Sequence, residues 1–568
     1  MKARPDGRGL RVAVMAVMLG GFVLPILAGL AVTAGAAFGH LPALGQAGYS
    51  VAPWRQLGEL PGVWRSLMLS ILTGVGATGL SLVLAFALAA LSDLVGGGAR
   101  LARLSVPFLA APHAALAIGL AFVLAPSGWI ARLASPWATG WTVPPDLPLV
   151  HDPAGLALIL GLAAKETPFL LLVILAARAQ VGEGAQSAAA RALGYGPAQV
   201  WLWVLAPQIY RLIRLPVCAV LVFSLSVVDM AMILGPSNPP TLAMAVTRWL
   251  LAPDLDQLLP GAAGALAMGL VAAAAVAGWM MGERLVARLA CLWLRRGRRG
   301  RGAAVGRDLL GGIGVIVMVL AALSLLSLVL WSFAWQWRFP QALPSGWSLM
   351  AWREAGMVWR GPLAASLMLG LASTVLALAL AVLWLEAEDR GGLGRANWAE
   401  ALIYLPLLVP QVAFLYGLQT LALGAGLAGG YAALIWGHLL YVFPYVMIAL
   451  SEPWRSFDRR LLQMAALLGA GPWRRLFAVR LPCLLGPVLA AAAIGFSVSV
   501  AQYLPTLFLG EGRVATLTTE AVALSSGADR RIAGLYGLLQ TALPLVAYGL
   551  AFAVAHRPRR IGRESVTP

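Results

Sequence analysis

Along the chain, apolar residues gather in long blocks parted by short stretches rich in Arg, Gly and Pro. Twelve blocks are long enough to cross a bilayer core of roughly 30 Å as helices, which takes about 20 residues each. They are 11–33, 66–91, 103–125, 155–177, 211–234 and 261–281, then 308–332, 363–385, 399–423, 429–450, 483–505 and 533–555. None has the two-residue alternation of a transmembrane barrel strand. The pattern predicts an all-α polytopic membrane protein with about 12 transmembrane helices. The first block follows a basic Met1–Arg11 and precedes small residues at Ala34–Ala37, as a secretory signal does. It is longer than a signal core, so a retained first helix is expected.

Composition agrees. Of 568 residues, 60% are hydrophobic and 11% charged, too few charges to cover a soluble protein of this length. The net charge of +18 does not point to nucleic acid, because the arginines lie between apolar blocks rather than in one patch. The expected partner is the lipid bilayer. With the N-terminus inside and the spans alternating, most of the 41 Lys+Arg fall on the inner side, which predicts two cytoplasmic termini. Segment 284–307, with Arg295-Arg296-Gly297-Arg298-Arg299-Gly300-Arg301, reads as a cytoplasmic linker between a first half (1–283) and a second half (308–556), and 557–568 reads as a basic cytoplasmic tail.

The halves repeat. Gly194-Tyr195-Gly196-Pro197 recurs as Gly469-Ala470-Gly471-Pro472, and Pro207 recurs as Pro482, both at an offset of 275. Phe223-Ser224-Leu225-Ser226-Val227 recurs as Phe496-Ser497-Val498-Ser499-Val500. Leu234-Gly235 and Thr241-Leu242 recur as Leu509-Gly510 and Thr516-Leu517, and Ser66-Leu67-Met68 matches Ser366-Leu367-Met368. Six spans per half is an even number, so both halves enter from the same side. The repeat is parallel, and a pathway is expected at its interface.

After the fourth span of each half comes a long inner loop. The first contains Gln186, Ser187, Ala188, Ala189 and Ala190, then Gly194, Gly196, Pro197 and Pro207; the second contains Gln463, Ala465, Gly469, Gly471, Pro472 and Pro482. Alanine and leucine favour helix. Glycine permits a positive-φ turn behind that helix, and proline suits the first turn of the next one. The expected element is a helix–turn–helix outside the bilayer.

These two loops resemble the cytoplasmic "EAA" signature of ABC importer permeases, with thirteen residues from Gly194 to Pro207 and again from Gly469 to Pro482. The signature's acid is missing: Ala188 and Gln463 stand there. The resemblance covers nearly the whole chain and is nearest to the fused, tandem permeases of the thiamine and ferric-iron group. It implies a type I ABC importer permease fold in the inner membrane of a bacterium. It also implies two cytoplasmic ATPase subunits docking on these loops, an extracytoplasmic solute-binding protein, and alternating access. No cofactor is expected on this chain. The only lysines, Lys2 and Lys165, follow no GxxxxG loop, so ATP is expected on the partner ATPase.

Ionisable residues inside a bilayer are costly and mark candidate pathways. Lys165 and Glu166 lie in the fourth span, about 100° apart on a helix, so each is expected to meet another helix or water, as a structural pair or along the pathway. Asp229 and Gln502 hold equivalent places near the outer end of a span, for the pathway or for interhelical bonding. Ser224, Ser226, Ser497 and Ser499 suit interhelical packing. His113 and His438 lack metal-ligand spacing and read as satisfied histidines. Pro168 and Pro444 read as kinks, and the tryptophans as interfacial belts. Cys218, Cys291 and Cys483 form no CxxC pair, and no metal site is expected. A parallel-repeat secondary transporter is the rival function. A membrane enzyme would need convergent acids or a HExxH, and the sequence has no such motif.

Overall fold

The computed structural model describes residues 5–555, apart from 43–44, 47, 95, 182–183, 296–301, 355–356, 391–396 and 528. A helix over Pro5–Met18 passes through a π turn into α1 (Leu24–Ala37). Then come α2 (Val63–Leu94), α3 (Gly98–Ala110), α4 (His113–Leu124), α5 (Leu156–Gln180), α6 (Ala185–Ala192), α7 (Ala206–Ser226), α8 (Asp229–Leu234), α9 (Leu242–Leu250) and α10 (Leu258–Arg295). The second series is α11 (Gly302–Phe333), α12 (Arg360–Arg390), α13 (Gln411–Gly424), α14 (Tyr431–Arg455), α15 (Arg459–Leu467), α16 (Leu485–Val500), α17 (Leu504–Gly510), α18 (Leu517–Ser525) and α19 (Arg530–Ala555). The strands among the described residues are a small hairpin, β1 (Ala334–Gln336) with β2 (Gly346–Trp347), antiparallel.

Among the described residues, ten helices are long and apolar enough to cross a membrane, or eleven when the bent pair Pro472–Cys483 and Leu485–Val500 counts as one. The remaining expected span, 399–423, is no single helix. Proline explains it. Pro410 donates no amide hydrogen and holds Val409 extended, so the chain breaks there and restarts as α13. Pro112 does the same between α3 and α4. Pro168 and Pro444, by contrast, lie inside continuous helices. Within the expected linker 284–307, α10 stays helical to Arg295 and α11 starts at Gly302. Residues 296–301 and the 557–568 tail lie outside the described residues.

The two series are interlocked. α1 lies along α13, and α11 lies along α4. Glycine allows both contacts. A Cβ on Gly417 would fall 2.0 Å from the Gly29 carbonyl oxygen, and one on Gly119 would fall 2.2 Å from that of Ser324. Each crossing also carries a hydrogen bond: Gly417 N–H donates to Thr33 Oγ1 (3.1 Å), and Ser327 Oγ donates to the Gly119 carbonyl (3.0 Å). The Phe22 ring lies 5.0 Å from that of Phe443, so the N-terminal helix completes the core of the C-terminal series.

A second pair of bonds sets the repeat register. Ser70 Oγ accepts from Leu242 N (2.8 Å), and Ser366 Oγ accepts from Leu517 N (2.9 Å). Ser70 is therefore the counterpart of Ser366, with Gly74 and Thr78 matching Gly370 and Thr374. The sequence match of Ser66 to Ser366 is one helical turn out of register. An amphiphilic repeat tolerates that slip, because residues one turn apart share a face.

Candidate functional site: paired elbows and a buried polar cluster

Both inner loops fold as elbows of the expected form. In the first, α6 ends in a Schellman turn: Gly194 sits at φ +84°, and Tyr195 N–H donates to the Ala190 carbonyl (3.1 Å). Gly196 then caps the next helix, with its N–H donating to Gln199 Oε1, and Pro197 fills the first turn. In the second, Gly469 sits at φ +81°, Ala470 N–H donates to the Ala465 carbonyl (3.0 Å), Gly471 caps, and Pro472 follows. Each chain then winds through a five-residue π turn, Trp201–Leu205 or Leu476–Arg480, before Pro207 or Pro482 opens the next helix. Ala188 and Ala189 lie on α6, and Gln463 on α15.

The outer helices of the elbows are largely exposed, with Ser187 on α6 their one buried residue. α15 buries none of its residues, and Leu467 and Leu468 are 88% and 87% exposed. Met464 and, on the first elbow, Leu193 are exposed as well. Apolar side chains presented in this way on a short outer helix invite a partner.

The inner side of each elbow is tied to the spans through an aspartate at the end of the second long helix of its series. Asp93 Oδ2 accepts from Trp201 Nε1 (2.9 Å) on the elbow and from Arg178 Nε (2.9 Å) at the end of α5. Asp389 accepts from Trp454 Nε1 (3.2 Å) at the end of α14 and from Arg459 Nη2 (2.9 Å), and it pairs with Arg480 on the elbow. Arg480 is 2% exposed, lies 4.0 Å over the Trp454 ring and donates to the Trp454 carbonyl (3.0 Å).

Both elbows lie at one end of the bundle. α10 runs antiparallel to α1: its Gly264 meets Leu57, beyond the end of α1, while its Glu283 reaches Tyr210 (2.6 Å) and Arg214 at the start of α7. The N-terminal helix meets Trp384, near the end of α12, and Ala555 lies beside Gly486, just past the second elbow. Residues near both ends of the described chain thus share the elbow end.

The intramembrane charges gather where helices break. Lys165 Nζ donates to the carbonyls of Phe108 and Leu109 (3.0 Å each) and of Ala111, so it caps the C-terminal end of α3 at the Pro112 break. Glu166 Oε1 lies 3.3 Å from His113 Nε2, on the first residue of α4. Each of the adjacent pair thus meets a different element, as the helical geometry required. Asp229 is the first residue of α8 and lies in the field of His113 and Lys165. Its neighbour Met230 reaches Gly161, so Asp229 is level with the interior of α5, not at the outer end of a span. Gln502 lies in the break before α17, two residues short of the position matching Asp229. The second series opposes this cluster with Tyr445, on the side of Glu166, and with Tyr503, which lies near Asp229 and donates to Met232 Sδ (3.3 Å) on α8.

Most of the other polar residues picked out along the chain find partners nearby. His438 bridges Ser499 Oγ (2.7 Å) and Thr506 Oγ1 (2.9 Å), and Ser373 also donates to Ser499. Ser499 therefore links helices, whereas Ser226 and Ser497 bond their own helix, and Ser224 Oγ has no protein partner. Among the described residues no group of His, Cys, Asp or Glu could hold a metal ion. Sequence reasoning missed Asp93, Asp389, Tyr445 and Tyr503. The two aspartates could have been found as acids ending corresponding spans; the tyrosines carry no local signal.

Residues 393–559 match the family described as the binding-protein-dependent transport system inner membrane component. The chain is 34% identical over 507 residues to the inner membrane ABC transporter permease protein YnjC of Escherichia coli (strain K12), covering 89% of this chain and 91% of that protein. It is 27% identical over 244 residues to a putative 2-aminoethylphosphonate transport system permease protein, PhnV, of Salmonella typhimurium, covering 42% and 86%. It is 29% identical over 179 residues to the molybdenum transport system permease protein ModB of Haemophilus influenzae, covering 28% and 77%.

Proposed function

The chain belongs to the family of binding-protein-dependent ABC transporter permeases of the inner membrane, and from that premise we propose that it joins both halves of a translocation pathway in one polypeptide, with one ATPase copy seated on each elbow. Permeases of this family work with a separate ATPase subunit and a solute-binding protein. Two copies follow from two elbows of the same geometry. The elbow end faces the cytoplasm, as the arginine distribution requires, so both termini are cytoplasmic. The binding protein meets the opposite end. Residues 1–283 and 308–556 act as the two halves.

The observation that carries this reading is the repetition of one exposed helix–turn–helix at a single end of the bundle. ATP-driven closure of the partner pair draws α6 and α15 together. Trp201–Asp93 on one side and Arg480–Asp389 on the other pass that movement to α2 and α12. The halves then rock about the seam where Lys165, Glu166 and Asp229 face Tyr445 and Tyr503, with Gln502 in the break beside Tyr503, and the pathway changes the side it faces.

The test is Gly469→Pro. Proline cannot take the φ of +81° held there, so the second elbow loses its turn. The variant should insert in the membrane and lose at least one of the two ATPase copies on co-purification. Normal co-purification would remove the second elbow from the docking role.

A further inference from the structure

At the end of the bundle opposite the elbows, a cleft of about 590 Å³ opens between the two series. Ser127 and Arg132, just beyond α4, form one wall, and Trp331, Trp335 and residues 529–531 at the start of α19 form the other. Two of its arginines stand out. Arg132 is 4% exposed and donates only to carbonyl oxygens, those of Ser127 (2.9 Å), Arg338 (2.9 Å), Trp337 (3.2 Å) and Gln341 (3.4 Å). Arg530 donates to the same Ser127 carbonyl (3.2 Å) and to Ser127 Oγ (2.7 Å). Among the described residues no carboxylate pairs with either. Among the described residues the cleft has one carboxylate, Asp529, and Arg531 takes it through two hydrogen bonds (3.0 and 2.8 Å), which hold it below the usual carboxylate range.

Neutral carbonyls orient a guanidinium without cancelling its charge. Two like charges sharing one carbonyl repel each other, and this arrangement is costly unless an anion completes it. Trp331 lies under both guanidiniums, 5.9 Å from Arg132 and 5.3 Å from Arg530, and fixes their planes.

We infer that this cleft is the outer mouth of the pathway and that it receives an oxyanion, gripped between Arg132 and Arg530, so that the transported solute carries a carboxylate, phosphate, sulfate or similar group. This rests on the permease reading above and narrows it to a substrate class. Beyond these bonds Arg530 keeps three N–H groups and Arg132 one, so Arg530 can offer paired hydrogen bonds and Arg132 a single one. The anionic head of a phospholipid offers the same chemistry, so the test separates the two sources.

The experiment uses the full chain in nanodiscs, with radiolabelled inorganic sulfate as the probe at constant ionic strength in chloride. Wild-type protein should bind sulfate saturably, equally well in discs of phosphatidylcholine and of phosphatidylglycerol. Arg530→Gln should weaken binding at least tenfold, and Arg530→Lys should restore part of it. Arg132→Gln should act likewise; because Arg132 also anchors segment 337–341, Arg530→Gln, which leaves that anchor alone, decides the question. No saturable binding, or equal binding by wild type and Arg530→Gln, overturns the inference. So does sulfate binding that vanishes in phosphatidylglycerol, which would assign the site to lipid. Co-purification of the ATPase with wild-type chain is scored separately, so failure of the permease reading is told apart from failure of the anion site.

Discussion

The Trp201 indole donates to the Asp93 carboxylate across 2.9 Å and so fastens the first elbow to the end of α2. Arg178 shares the same oxygen, which makes Asp93 the meeting point of α2, α5 and the elbow. Trp201→Phe removes this bond and keeps most of the ring packing. A hydrogen bond to a charged group contributes about 1.5–3 kcal/mol, and only part of that bears on the transport cycle. Solute-stimulated ATP hydrolysis by the assembled transporter should fall about three- to tenfold, while the ATPase still co-purifies. Unchanged stimulation would show that this bond does not carry the movement.

The second elbow is held by charge. Removing one partner of a buried ion pair costs up to about 3–5 kcal/mol; Arg480 is buried and pairs with both Glu386 and Asp389, while Asp389 keeps Arg459. Arg480→Met should therefore lower the thermal unfolding temperature in nanodiscs sharply. Combining it with Asp389→Asn should recover part of the loss. Purely additive effects of the two substitutions would contradict a direct Arg480–Asp389 pairing.

Gly417 permits the crossing of α1 with α13. Gly417→Leu would push a side chain into the Gly29 backbone, and overpacking of this kind costs about 1–3 kcal/mol or more. Protease resistance and thermal stability should both drop. Gly424→Ala, in the same helix but with open space around its Cβ position, should be neutral. Equal stability of the two variants would mean that α1 does not lie where the structure places it.

Lys165 caps α3 across the membrane, so Lys165→Met leaves three carbonyls at the Pro112 break without their donor. The expected result is a chain that inserts but unfolds at lower temperature, with uptake reduced at least tenfold. Glu166→Gln, which leaves those carbonyls capped, should be milder in stability. The reverse order of the two variants would make the Glu166–His113 contact the main support.

What the sequence made legible was local or periodic. Gly194, Gly196 and Pro197, with their partners Gly469, Gly471 and Pro472, determine an elbow through their own φ preferences, and long apolar runs determine spans through hydropathy. The break at Pro410 was hidden because a 20-residue average cannot feel one missing amide hydrogen. The Gly29–Gly417 crossing was hidden because it depends on which helices become neighbours. The same holds for the outer cleft: Arg132 and Arg530 look like ordinary loop and flank arginines until the fold brings both to the Ser127 carbonyl.

The central claim is that each elbow seats its own ATPase copy from the cytoplasm. It is tested most directly in a chain with Cys218, Cys291 and Cys483 replaced by serine and single cysteines placed at Leu193 and Leu467. After cross-linking in intact cells, each single-cysteine chain should capture one ATPase subunit, the double-cysteine chain should capture two, and a membrane-impermeant maleimide applied outside should label neither. Labelling of either position from outside, or capture by only one elbow, would contradict the account.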